Sequence, residues 1–177
     1  LISLGLQVIS FNARITGYGK IEFRRHRVLG VSLNGTLYTT DVGSTLEYSR
    51  VPLLLMGNII QEDGFCEYMY KEDPFYGWVQ YQRCPGEDWK SVYGFSIEPN
   101  IDLDYVTSTF YFAHHPDSVM VQAPRVSIYT PTGIIAVRRH CYYEESAGLE
   151  QVCRPIEDWE EEKRQLRDLF HLPTEGI

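Results

Sequence analysis

Up to about residue 146 the chain reads at period two: short alternating apolar and polar runs separated by Gly, Pro, Asn and Asp, the signature of antiparallel strands with one buried face. The first run, "LQVISFNARIT", ends at "GYG"; "KIEFRRHRVLGVSL" follows, with an expected bulge or turn near Gly30. Asn34–Gly35, flanked by "GVSL" and "TLYTTD", is the strongest hairpin signal, because both residues accept the positive φ of a type I′ turn. In "STLEYSRVPLLLMGNIIQ" Pro52 removes a ladder donor and belongs at a strand edge, while "LLLMGNII" is expected to cross the core. "KSVYGFSIE", the β-branched and aromatic run "YVTSTFYFAHH", "SVMVQA", "RVSIYT" and "IIAVRRHCYYEE" complete the set of expected strands.

The pattern changes at Pro155. In "PIEDWEEEKRQLRDLFHL" the residues Ile156, Trp159, Leu166, Leu169 and Phe170 share one helical face. Acidic residues come first and basic ones later, as the helix dipole favours. A helix over 155–172 is expected, started by Pro155, docked by Trp159 and Phe170 and closed by Pro173. The expectation is one mainly β domain over 1–177: an antiparallel β-sandwich or β-barrel of roughly nine strands over 1–145, with one amphipathic C-terminal helix packed on it.

"GFCEYMYKEDPFYGWVQYQRC", Gly64 to Cys84, is the most organised stretch. Setting Cys66 opposite Cys84 also aligns Tyr68 with Gln82, Tyr70 with Gln80 and Glu72 with Trp78, leaving "DPFYG" as the loop. Non-hydrogen-bonded partners sit at the ~4.5 Å Cα separation that a disulfide spans. Such a staple stabilises by roughly 3 kcal/mol on the chain-entropy model. Cys141 and Cys153 bracket a polar connection and are candidates for a second bridge, although four cysteines allow three pairings. Their spacings lack the C-x₂-C pairs of structural zinc sites, and no metal or cofactor is expected.

Fourteen per cent aromatic residues, with thirteen Tyr, is high. A net charge of −8 argues against a nucleic-acid partner, since phosphate binding draws on clustered Lys and Arg; the one such cluster, "RRHR" at Arg24 to Arg27, alternates between faces. No run approaches the ~18 apolar residues of a membrane span. Leu1 is not methionine and no charged segment precedes an apolar core, so a processed product is expected, any signal peptide already removed. "NGT" at Asn34 is a candidate N-glycosylation acceptor and, with the even cysteine number, points to a secreted or luminal, oxidising compartment.

Catalytic residues do not declare themselves. In "AHHPD" the adjacent His114 and His115 point apart on a strand. The acidic pairs Glu62–Asp63, Glu72–Asp73, Glu87–Asp88 and Asp102 with Asp104 fall in expected turns, and "TGYGK" lacks the spacing and following helix of a phosphate loop. Phe75, Tyr76 and Trp78 at the hairpin tip, with Trp89 and Tyr93 beyond it, are candidate contact residues, because Trp and Tyr bring area and a polar handle with few rotors. The function class expected is therefore an extracellular or luminal recognition module for a protein or glycan. Three alternatives stand beside it: a carrier of a small apolar ligand, an enzyme whose residues the sequence does not identify, and a non-catalytic subunit of an assembly. The carrier's layout, a strand-rich chain followed by a helix, resembles that of lipocalins. The Gly-x-Trp pattern of that family is absent, since Trp78, Trp89 and Trp159 all come late.

Overall fold

The computed structural model describes residues 1–17, 19–43, 49–146 and 152–175. Parts of three stretches singled out above, "TGYGK", "STLEYSR" and the connection between Cys141 and Cys153, lie outside the described residues. The chain divides into two compact units, Leu1–Ser108 and Thr109–Ile177.

The first unit is an eight-stranded antiparallel sheet, nearly closed as a barrel: β1 (Gln7–Ile15), β2 (His26–Leu33), β3 (Thr36–Thr40), β4 (Leu53–Leu54), β5 (Gln61–Glu62), β6 (Glu67–Asp73), β7 (Gly77–Arg83) and β8 (Lys90–Phe95). Their spatial order is β4-β3-β2-β1-β8-β7-β6-β5. Asn34 (φ 51°) and Gly35 (φ 78°) make the two-residue turn that sets the β2–β3 register from Leu33 opposite Thr36 to Leu29 opposite Thr40. β6 and β7 pair as the sequence indicates, with Tyr68 opposite Gln82, Tyr70 opposite Gln80 and Glu72 opposite Trp78. Cys66 and Cys84 extend that ladder and are joined by a disulfide, their Cα atoms 4.2 Å apart.

The two edge strands are linked by side chains, so fewer backbone groups go unpaired. The Gln61 carboxamide mimics a strand: its Oε1 accepts from Leu54 N at 2.7 Å and its Nε2 donates to Leu54 O at 2.9 Å. Asn58 N donates to Tyr70 O at 2.8 Å. Inside, Phe11, Val28, Leu53, Tyr68, Tyr70, Tyr93 and Phe95 form the core, with Phe11 and Phe95 stacked at 5.0 Å. Gly30 does not interrupt β2. A Cβ there would stand 2.5 Å from the Phe11 ring, so the glycine makes room for the aromatic rather than for a bend. "LLLMGNII" does not cross the core either: Leu53 is buried, but Ile59 and Ile60 are exposed.

In the second unit four antiparallel strands, β9 (Arg125–Tyr129), β10 (Gly133–Arg138), β11 (Cys141–Ser146) and β12 (Val152–Pro155), lie in chain order. The two segments expected as strands are helices, α1 (Val106–His114) and α2 (Val119–Gln122). Their β-branched residues carried the wrong signal, because stacking of Phe110 on His114 and of Tyr111 on His115, both at 4.6 Å, runs at the helical i, i+4 spacing. The C-terminal helix, α3, is Trp159–Phe170, starting four residues later than expected. Asp158 caps it by accepting from Glu161 N at 2.7 Å, while Pro155 ends β12. Its buried residues are Glu162, Gln165 and Leu166; Trp159 is exposed.

Candidate functional site

The β2–β3 hairpin brings His26 and Asp41 together. Continuing its register past Thr40 places positions 41 and 43 on the same sheet face as 26 and 28, so the imidazole at 26 reaches diagonally to the carboxylate at 41. His26 Nε2 is bonded to Asp41 Oδ2. The other oxygen, Oδ1, accepts from Gly43 N at 2.8 Å, so backbone and imidazole hold the carboxylate from two sides. Side-chain exposure is 12% for His26 and 6% for Asp41, which keeps water from competing for the contact. Since Asp41 accepts at Nε2, the neutral ring carries its proton there and Nδ1 is the basic nitrogen. Gly43 lines that edge: a Cβ would lie 3.0 Å from His26 Cε1 and 3.6 Å from Nδ1. On the ring's other flank stands Tyr93, centroids 5.5 Å apart.

Behind the pair lies a polar interior. Thr39 Oγ1 donates to Leu53 O at 3.3 Å and therefore accepts from the Tyr70 hydroxyl 2.6 Å away; Tyr70 in turn is 3.3 Å from the Tyr93 hydroxyl. Burial pushes the Tyr70 phenol up to about 12, and the charge on Asp41 adds to the effect. The network therefore stays neutral at ordinary pH beneath one carboxylate. A histidine oriented by a shielded carboxylate, with its second nitrogen basic, can take a proton from a nucleophile and return it to a leaving group.

The residues singled out from sequence are dispersed. Phe75 is 60% exposed at the β6–β7 tip, edge-on to Tyr76 at 4.8 Å. Trp78 packs edge-on against buried Tyr70, and Trp89 lies under the Arg83 guanidinium at 4.7 Å. Tyr93 is no surface contact: it is buried in the core beside His26. Cys141 and Cys153 are free thiols, because β11–β12 pairing sets Cys141 opposite Pro155 and Cys153 opposite Tyr143. Asn34 occupies its hairpin turn, exposed. Sequence reasoning missed His26, taken as part of a basic cluster, and Asp41. The signal was available, because the Asn34–Gly35 turn fixes which residues of the two strands face each other.

The sequence model of Acetyltransf_2, N-acetyltransferase, matches residues 1–176. The arylamine N-acetyltransferase / N-hydroxyarylamine O-acetyltransferase of Salmonella typhimurium is 27% identical over 125 residues, 67% of this chain and 44% of that enzyme. Among solved structures, arylamine N-acetyltransferase from M. tuberculosis superposes with a TM-score of 0.89 at 21% identity, covering all of this chain and 66% of that one. The Mycobacterium marinum enzyme in complex with CoA gives 0.87 at 20% identity over 96% of this chain and 64% of that one. The chain thus spans less than half of the curated relative and about two thirds of the solved ones.

These matches overturn the expectation of a recognition module, with its carrier and non-catalytic subunit alternatives, because the relatives are acetyl-transfer enzymes. They also overturn the secreted or luminal glycoprotein placement, which rested on Asn34 and cysteine parity alone, since the relatives are acetyltransferases by name. Neither a protein nor a glycan partner has support in them, and among the described residues no helix is long and apolar enough to cross a membrane. The chain belongs to the N-acetyltransferase family.

Proposed function

We propose that this chain carries the general-base half of an acyl-transfer centre that moves an acetyl group from a CoA thioester to an aromatic amine. The observation that carries the reading is the shielded His26–Asp41 pair inside an N-acetyltransferase fold. Asp41 holds the His26 Nε2 proton and stabilises the imidazolium that forms during reaction. His26 Nδ1 takes the proton of a thiol as its sulfur attacks the thioester carbonyl; the new S–C bond forms, the bond to CoA sulfur breaks, and the proton passes to the departing thiol. In the second half the amine nitrogen attacks the acetyl-enzyme, the N–C bond forms as the bond to the enzyme sulfur breaks, and the amine proton passes through Nδ1 to that sulfur, which restores the thiol.

A thiol suits the partner role, being nucleophilic once its pKa is matched by an adjacent imidazole. Both cysteines of the first unit are tied in the disulfide, so the nucleophile comes from outside that unit. One matched solved structure, at 20% identity, is a cysteine-to-glutamine variant of the Mycobacterium smegmatis enzyme. CoA and arylamine as substrates follow the names of the relatives.

The test is acetyl transfer from acetyl-CoA to an aromatic amine by the enzyme that contains this chain, comparing wild type with Asp41→Asn. That variant keeps the shape but presents the wrong tautomer to His26, and a loss of about 10⁴-fold is expected. A rate within tenfold of wild type would remove the assignment.

A further inference from the structure

Beside Asp41 a small cavity, with room for about one water molecule, is lined by the polar Thr39, Asp41, Gln80 and Tyr93 and by the apolar Val51 and Leu53. Gln80 stands out in it. Its side chain is 1% exposed, and its Oε1 has no hydrogen-bond partner among the described residues. Leaving a buried carboxamide oxygen unpaired is costly, so such an atom calls for a donor. Its place follows from register: Gln80 on β7 lies between Tyr70 on β6 and Tyr93 on β8, and those two hydroxyls meet 3.3 Å apart. Gln80 and Asp41 thus stand on the wall of one small cavity, and the Asp41 carboxylate, like the carboxamide oxygen, only accepts. One water with two donor protons can serve both groups.

We propose that this cavity is a single-water site bridging Gln80 Oε1 to the Asp41 carboxylate, and that Gln80 is a positioning residue for the His26–Asp41 pair. The inference rests on the reading of that pair as the acyl-transfer base and deepens it. Asp41 then has three fixed donors, His26 Nε2, Gly43 N and the water, so its plane cannot swing away while the imidazole gains and loses a proton. Gln80 acts through Asp41 and touches no reacting atom.

The experiment is NMR on the chain itself, so its outcome does not depend on transfer activity. The probes are the low-field proton on His26 Nε2 and cross-relaxation between water and the Gln80 side-chain amide, in wild type and in Gln80→Met, which keeps length but removes the acceptor. The expected result is a long-lived water at Gln80 in wild type and, in Gln80→Met, loss of that water with exchange of the His26 Nε2 proton faster by about tenfold, the scale of one hydrogen bond to a charged group. Should Gln80→Met fail to fold, Gln80→Asn, which withdraws the amide by one methylene, is read instead and gives an intermediate exchange rate. No water at Gln80 in wild type overturns the site. A water present but with unchanged His26 exchange in the variant overturns the positioning role. Absence of the His26 Nε2–Asp41 bond in wild type would overturn the catalytic pair and this inference with it, whereas an intact bond and bridging water in a chain whose enzyme transfers no acetyl group would sink the function alone.

Discussion

Two of the histidine–carboxylate pairs among the described residues, His26–Asp41 and His140–Glu162, have different surroundings. His26–Asp41 in the first unit has both partners shielded, 12% and 6% exposed, and both carboxylate oxygens bonded. His140–Glu162 in the second unit is lopsided: Nδ1 meets Glu162 Oε2 at 2.8 Å, but the imidazole is 56% exposed while the carboxylate is 2% exposed, its Oε1 without a hydrogen-bond partner among the described residues. Their backbones differ too. His26 opens a regular strand, whereas His140 follows Arg139 in a hairpin turn where both have positive φ, 57° and 50°. The same two functional groups therefore serve different ends. A shielded carboxylate bonded at both oxygens fixes the tautomer of a base, whereas an exposed imidazole on a buried carboxylate ties the β10–β11 turn to helix α3 as a structural clasp.

The largest expected effect that would sharpen this contrast is catalytic. Replacing His26 with Gln should lower acetyl transfer by at least about 10³-fold with little change in melting temperature, because the loss is proton transfer rather than packing. Replacing Glu162 with Gln should do the reverse: steady-state rates close to wild type, and a loss of about 1–3 kcal/mol in urea denaturation as a buried charge-assisted hydrogen bond weakens. A rate collapse in Glu162→Gln would erase the distinction between base and clasp.

The polar floor under Asp41 has its own pH signature. The Tyr70 phenol is raised by burial to about 12 against an unfolded value near 10. A group with a raised folded pKa contributes stability that is complete below the unfolded pKa and is lost as pH rises through the folded one. Stability should therefore fall between about pH 10 and 12, by up to about 3 kcal/mol at 1.36 kcal/mol per unit. Tyr142 in the second unit titrates in the same window, so the share due to Tyr70 is the part that disappears in Tyr70→Phe. Smaller still is Gly43→Ala. Its Cβ would press on His26 Cε1 at 3.0 Å and on Asp41 Oδ1 at 3.2 Å, and a rate loss of about tenfold is expected while unfolding changes by less than about 0.5 kcal/mol. At the bottom of the scale, Phe75→Ser at the exposed hairpin tip should leave both rate and stability within error.

Strand-rich architecture was legible because period-two runs and turn residues are local signals. Asn34–Gly35 and the Cys66–Cys84 ladder even yielded residue-level register. Helices α1 and α2 were misread where propensity and i, i+4 ring stacking disagreed, and the α3 start was misplaced because Asp158 is a stronger cap than Pro155 is an initiator. The site was harder for a different reason. His26 and Asp41 are fifteen residues apart, and neither carries a motif. Their partnership exists only once the hairpin register is extended beyond its last paired rung. The compartment was misjudged from two weak composition clues, Asn34 and cysteine parity, which say nothing about what a fold does.

The central claim is that His26, oriented by Asp41, is the base of acetyl transfer. Its most direct test is the rate of acetyl transfer from acetyl-CoA to an aromatic amine in wild type and His26→Gln, with folding checked by circular dichroism. The account predicts a folded His26→Gln enzyme slowed by about 10³-fold or more. A folded His26→Gln enzyme that keeps the wild-type rate would contradict it.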